Sequence, residues 1–182
     1  YIPGKKRDAL AKGLNASPGA AVGKAVFSAA EAEEMTEAGD KVILVRNETS
    51  PEDIKGMDAS VGILTARGGA TSHAAVVARQ MGKPCIAGCG TLKIDYKAKQ
   101  LTTKDGTVIK QGEFFSLDGT TGEVIKGKLD TQDPQLSGDF KTFMEWVEEK
   151  AVMKVRANAD SPVDAKLARS LGAVGIGLCR TE

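Results

Sequence analysis

The chain of 182 residues contains one histidine, His73. It lies in the stretch Thr65-Ala66-Arg67-Gly68-Gly69-Ala70-Thr71-Ser72-His73-Ala74-Ala75-Val76-Val77-Ala78-Arg79. Any imidazole chemistry in these residues runs through that side chain. The Gly68-Gly69 pair suits a tight turn, because glycine tolerates positive φ. Thr71 or Ser72 is a suitable N-cap. Residues 74–81 hold neither proline nor glycine and read as a helix. His73 then stands in the first helical turn, where open N–H groups and the positive end of the helix dipole favour an anion. A neutral imidazole nitrogen is a nucleophile at physiological pH. At an anion site it is suited to carrying a phosphoryl group.

A lone histidine at a helix start is more often a surface or capping residue. The Gly-Gly-x-Thr-Ser-His frame and the flanking arginines, Arg67 and Arg79, weigh towards chemistry, because guanidinium forks match phosphate oxygens. Either arginine could instead be a solvated charge. The groups that could stabilise a phosphate are Gly68, Gly69, Thr71, Ser72, Arg67 and Arg79. Cys85 and Cys89 with His73 lack a fourth ligand and match no zinc spacing. They read better as small buried thiols. With Cys179 the cysteine count is odd, which suits reduced thiols in a cytoplasmic protein.

The formal net charge is +1 and aromatics make up 4% of residues. That balance argues against a nucleic-acid surface. No apolar run approaches the roughly 18 residues that span a bilayer, so no membrane partner is expected. The opening Tyr1-Ile2-Pro3-Gly4-Lys5-Lys6-Arg7 has no apolar core after its basic residues, unlike a signal peptide. The chain does not start with methionine and stops just after an apolar run, so it reads as a piece of a larger protein.

Several elements must position His73. Residues 1–22 read as a linker and a first strand, with the strand itself over 21–27. Residues 31–38 form a short acidic helix closed by Gly39. Residues 41–45 are an apolar run of strand length. Thr49-Ser50-Pro51-Glu52-Asp53 opens a helix that ends by Gly56. Residues 60–65 are a buried strand that feeds the Gly-Gly turn, and 84–88 follow the histidine helix as another. From 91 to 126 the turn residues Asp105-Gly106, Gln111-Gly112, Asp118-Gly119 and Thr121-Gly122 separate strand-forming segments and predict β-hairpins. The result is a compact α/β domain over 23–127.

Residues 128–152 read as a linker with a helix, since apolar residues recur at helical spacing from 140 to 151. Residues 153–159, a helix from Ser161 and residues 173–179 make one βαβ unit. Such a unit cannot bury both faces alone. Residues 153–182 therefore read as the start of a β/α barrel, with Arg180 at a strand C-terminus, where barrels carry chemistry.

The block from Gly68 to Arg79 resembles the phosphohistidine motif of the phosphoenolpyruvate-utilising enzymes. The blocks Glu48-Thr49-Ser50-Pro51-Glu52-Asp53-Ile54, Met81-Gly82-Lys83-Pro84-Cys85-Ile86-Ala87-Gly88-Cys89-Gly90 and Gly175-Ile176-Gly177-Leu178-Cys179-Arg180-Thr181-Glu182 resemble the dikinase branch of that family. The resemblance covers essentially the whole chain. One departure is Ala70, where the family usually has Met or Arg.

The resemblance implies a swivelling β/β/α phosphohistidine domain, a linker helix and the first βαβ unit of a (β/α)8 barrel. It implies that His73 is pyrophosphorylated and then phosphorylated on Nε2. The carrier would move between an ATP-grasp domain and the barrel of the same chain. The overall reaction would be ATP + phosphate + pyruvate to AMP + pyrophosphate + phosphoenolpyruvate. Thr71 matches a threonine that a regulatory protein phosphorylates in plants. Arg180 matches a barrel arginine that binds the substrate phosphate. The implied cofactor is magnesium (Mg2+), with ligands beyond Glu182; no organic cofactor is expected. The full-length protein is expected to be a homodimer, and these residues alone are not expected to turn over. The alternatives are the synthase branch or enzyme I of the phosphotransferase system and, in another class, a non-enzymatic binding or regulatory module.

Overall fold

The computed structural model describes residues 8–131, 139–170 and 172–179. The chain divides into two units, Tyr1–Gln132 and Asp133–Glu182. The first contains β1 (Ala9–Lys12), β2 (Leu14–Ser17), β3 (Ala20–Val26), α1 (Ala29–Glu37), β4 (Val42–Arg46), a 3-10 turn (Pro51–Asp53) running into α2 (Ile54–Ala59), β5 (Gly62–Thr65), α3 (His73–Gln80) and β6 (Cys85–Ala87). It continues through β7 (Lys93–Asp95), β8 (Gln100–Thr102), β9 (Val108–Lys110), β10 (Phe114–Asp118) and β11 (Glu123–Lys126).

Eight strands form one sheet in the order β1-β11-β10-β3-β4-β5-β6-β2. Strands β3 to β6 are parallel to one another along that order. Helices α1, α2 and α3 make the crossovers that parallel pairing requires. The flanking pairs are antiparallel.

The period of two along each strand divides the core. Val42 and Leu44 of β4 face Ala32 of α1, Met57 of α2 and the Ala74, Ala75 and Ala78 stripe of α3. Ile43 and Val45 face the opposite way, towards Leu92, Leu101 and Ile109. Those last residues belong to a small antiparallel sheet, β7-β8-β9, and its approach. The layers are therefore helices, the large sheet, and the small sheet. The expected mixed α/β architecture is present, and both faces of the parallel strands are covered, as such strands require.

Three sequence expectations are corrected here. For residues 8–20 the linker reading gives way to two strands, β1 on β11 and β2 on β6, and residues 1–7 lie outside the described residues. Ala16 and Ser17 are buried, yet the surrounding Gly, Ser and Pro hide the short alternation. Nor does Gly56 end its helix, because α2 continues to Ala59. A Cβ on Gly56 would collide with Ala29, so this glycine lets α1 and α2 touch. Of the predicted turns, the one at Gly106 joins the antiparallel pair β8-β9 and the one from Gly119 to Gly122 joins β10-β11, whereas Gln111-Gly112 closes no hairpin but carries the chain from β9 in the small sheet to β10 in the large one.

In the second unit α4 (Asp139–Lys150) precedes β12 (Arg156–Ala157), α5 (Pro162–Ser170) and β13 (Gly175–Ile176). β12 and β13 pair in parallel over two residues each, so the βαβ connection is present but its strands are shorter than 153–159 and 173–179. Val174 and Ile176 remain 52% and 45% exposed, and no further strand flanks the pair among the described residues. Arg180 lies outside the described residues, as does most of the polar linker before α4. Among the described residues, no helix is long and apolar enough to cross a membrane.

Candidate functional site

β4 and β5 are neighbouring parallel strands, and both end at the same edge of the sheet. In open α/β sheets the space beyond the carboxyl ends of the strands is where ligands bind. The loop after β5 carries the Gly-Gly turn and His73. Its root is tied down: Thr65 Oγ1 donates to Arg67 O at 2.8 Å, and Cys89 N donates to Thr65 O at 2.9 Å. Gly68 has φ +108°, and a Cβ there would lie 2.9 Å from Ser72 Cβ. Glycine is thus needed for both backbone and space. Gly69 has no such contact, but its carbonyl accepts from Ser72 N at 3.0 Å and closes the turn.

Ser72 is the N-cap of α3, with Oγ accepting from Ala75 N at 3.4 Å. That places the half-buried His73 as the first helical residue, as expected. Thr71 is exposed beside it. Among the described residues no hydrogen bond occupies the amides of Gly69, Ala70 and Thr71. Together with the open first-turn amides of α3 they supply donors for an anion.

The ring of His73 is held from the neighbouring loop. Thr49 Oγ1 lies 2.9 Å from His73 Nδ1. Thr49 was not among the candidates from sequence. No local signal marked it, because the contact depends on β4 lying beside β5 in the sheet. The loop bearing Thr49 is braced on both sides. Ser50 N donates to Asp53 Oδ2 at 2.9 Å, and Asn47 N donates to Tyr96 Oη at 2.6 Å. Arg46 donates to Phe27 O at 3.1 Å, lies 3.6 Å from Asp53 Oδ1, and stacks over Tyr96.

The two arginines behave differently. Arg79 donates from Nη1 to Ala16 O at 3.0 Å and from Nη2 to Ala70 O at 2.6 Å. Arg67 is solvent-exposed, with its nearest carboxylate, Glu48, at 3.9 Å. Such an exposed pair contributes little, about 0–1 kcal/mol, and leaves Arg67 able to reorient towards an anion.

Cys85 and Cys89 are buried, and Cys179 is exposed. Burial pushes the Cys85 thiol up to about 12 and raises that of Cys89. Both are inert core groups at neutral pH. Among the described residues, no group of three His, Cys, Asp or Glu side chains is arranged to hold a metal ion.

A family model described as "PEP-utilising enzyme, mobile domain" matches residues 38–122, which include both loops of this site. A second, "PEP-utilising enzyme, PEP-binding domain", matches residues 134–182. The chain is 58% identical over 173 residues to the chloroplastic pyruvate, phosphate dikinase of Mesembryanthemum crystallinum, covering 95% of this chain and 18% of that protein. It is 53% identical over 180 residues to the pyruvate, phosphate dikinase of Rhizobium meliloti, covering 99% of this chain and 20% of that protein. It is 54% identical over 182 residues to that of Giardia intestinalis, covering 100% of this chain and 20% of that protein. The chain thus spans about a fifth of the length of these relatives. Since the two matched segments follow one another in this order and the likeness runs nearly end to end, the chain belongs to the phosphoenolpyruvate-utilising enzymes.

Proposed function

We propose that this chain is the phosphoryl-carrier portion of a pyruvate, phosphate dikinase. The observation that carries the reading is the Thr49–His73 contact beside a turn with unoccupied amides. With Nδ1–H donating to Thr49 Oγ1, the lone pair of Nε2 is free. Nε2 attacks the β-phosphorus of ATP; the N–P bond forms, the bond to AMP breaks, and AMP leaves with the electron pair. An oxygen of inorganic phosphate then attacks the outer phosphorus of the pyrophosphoryl group. Pyrophosphate leaves, and His73 retains one phosphoryl group. The enolate oxygen of pyruvate takes that group, and Nε2 regains its electron pair. At each stage Thr49 accepts from the ring N–H and stabilises the positive charge that the ring gains on phosphorylation.

The carrier domain, expected over 23–127, takes in β1 and β2 as well in this reading, because both pair into its sheet, and it moves between an ATP-grasp domain and a barrel. Residues 153–182 open that barrel, and Arg180 binds the substrate phosphate there. Gly68, Gly69, Thr71 and Ser72 contribute donors around the phosphoryl group, and Arg67 a mobile charge. Thr71 is the candidate position for regulatory phosphorylation. Magnesium is expected for the full reaction, but the described residues do not fit a magnesium site, so no step here runs through one.

Turnover of the full-length protein tests the assignment. Phosphate should be required and pyrophosphate released. ATP consumption that yields phosphoenolpyruvate without added phosphate would place it in the synthase branch. Labelling by phosphoenolpyruvate but never by ATP would place it with enzyme I. No covalent phosphate under either condition would favour a binding module.

Thr49→Val tests the mechanism. It removes one acceptor from a ring that becomes charged, worth about 1.5–3 kcal/mol. Labelling of His73 in a single turnover should slow roughly 10- to 100-fold. Thr49→Ser should restore most of the rate. Rapid-quench labelling measures both.

A further inference from the structure

Arg79 lies six residues beyond His73 on α3, and its guanidinium returns to the loop before the helix. One terminal nitrogen bonds the carbonyl of Ala70 at 2.6 Å and the other that of Ala16 at 3.0 Å. Ala16 belongs to β2 and is buried, so the clamp is anchored in the large sheet. A planar trans peptide points its C=O and its N–H in opposite directions. The carbonyl of Ala70 and the N–H of Thr71 share one such peptide. Holding the carbonyl against the guanidinium therefore aims the N–H of Thr71 away from it. That N–H has no partner among the described residues. The charge on the carbonyl also polarises the amide and strengthens its donor.

We infer that Arg79 is a positioning residue: by clamping the Ala70 carbonyl to β2 it presents the Thr71 N–H to the phosphoryl group on His73. This rests on the carrier reading above. It assigns Arg79 a role through the loop, with no direct contact to phosphate. The role of residue 70 is then carried by its peptide, so alanine suffices there. Lysine could not replace the fork fully, because an ammonium is a point charge and cannot hold two carbonyls in one plane.

The test uses the full-length protein with Arg79→Met and Arg79→Lys. Three quantities are read: single-turnover labelling of His73 from ATP, KM for ATP, and amide hydrogen exchange before phosphorylation. In Arg79→Met, labelling should slow roughly 100-fold, the size seen when one positioned oxyanion donor is lost. KM for ATP should stay within about threefold, because ground-state binding is untouched. Exchange across residues 66–72 should rise, while β4 and β5 keep their protection. Arg79→Lys should fall between. A direct phosphate ligand would leave exchange of the unphosphorylated loop unchanged, and that result overturns the inference. So does labelling at the wild-type rate in either variant. If Arg79→Met does not fold, the labelling and loop exchange of Arg79→Lys decide on the same terms. If the wild type itself takes no label, the carrier reading fails, and the exchange comparison still decides the clamp.

Discussion

Replacing His73 by Asn should remove all covalent phosphoryl label from the full-length protein and abolish turnover. Asparagine retains a polar group that can reach Thr49, so the local packing survives. Its amide nitrogen, however, has a delocalised lone pair and cannot attack phosphorus. His73 is the one histidine in this chain, so no neighbouring imidazole in these residues can substitute. Loss of the nucleophile in a covalent mechanism costs on the order of 10^4-fold or more. The wild-type label should be acid-labile and base-stable, as a phosphoramidate is. His73 is half-buried with one side-chain hydrogen bond to Thr49. A stability change beyond about 1 kcal/mol is therefore not expected. Labelling with ATP at matched melting temperature checks the point. A His73→Asn variant that still takes an acid-labile phosphate would show that the carrier is another residue.

Thr71→Asp should also abolish turnover, for an electrostatic reason. Thr71 is exposed, two residues before His73, on the loop where the amides of Gly69, Ala70 and Thr71 have no hydrogen-bond partner among the described residues. A carboxylate there would face an incoming polyphosphate. At a separation of about 6 Å and an effective dielectric of about 20, each charge pair repels by roughly 3 kcal/mol. Several negative charges approach together, so a loss of roughly 10^3-fold or more follows. The fold should not suffer. A negative side chain just before a helix N-terminus interacts favourably with the dipole, by about 0.3–1 kcal/mol. The signature is thus lost activity at equal or higher melting temperature. Thr71→Ser and Thr71→Val keep the backbone N–H and should stay within about tenfold of wild type. An active Thr71→Asp enzyme would contradict this reading of the site. A phosphate on Thr71 would act in the same direction and more strongly, since it brings about 1.5–2 negative charges.

Both predictions rest on residues legible from their chain neighbours. The Ser72 cap, the Gly68 turn, the buried run of β4 and the glycine hairpins are set by contacts within a few positions, where backbone preference and periodicity act. The sequence alone therefore located His73 at a helix start and placed Thr71 beside it. The same local reading failed at β1 and β2, which hold only four residues each and find their partners far along the chain. It failed at Gly56 because that glycine serves a contact with Ala29, not its own turn. Tertiary structure alone decided that Thr49 meets the imidazole across 24 residues and that Arg79 ties Ala70 to Ala16. The first contact exists because β4 lies beside β5, and the second because β2 pairs with β6, the strand that follows α3. Strand order is a property of the whole sheet, fixed by the joint burial of its two faces, and no short window of residues records it.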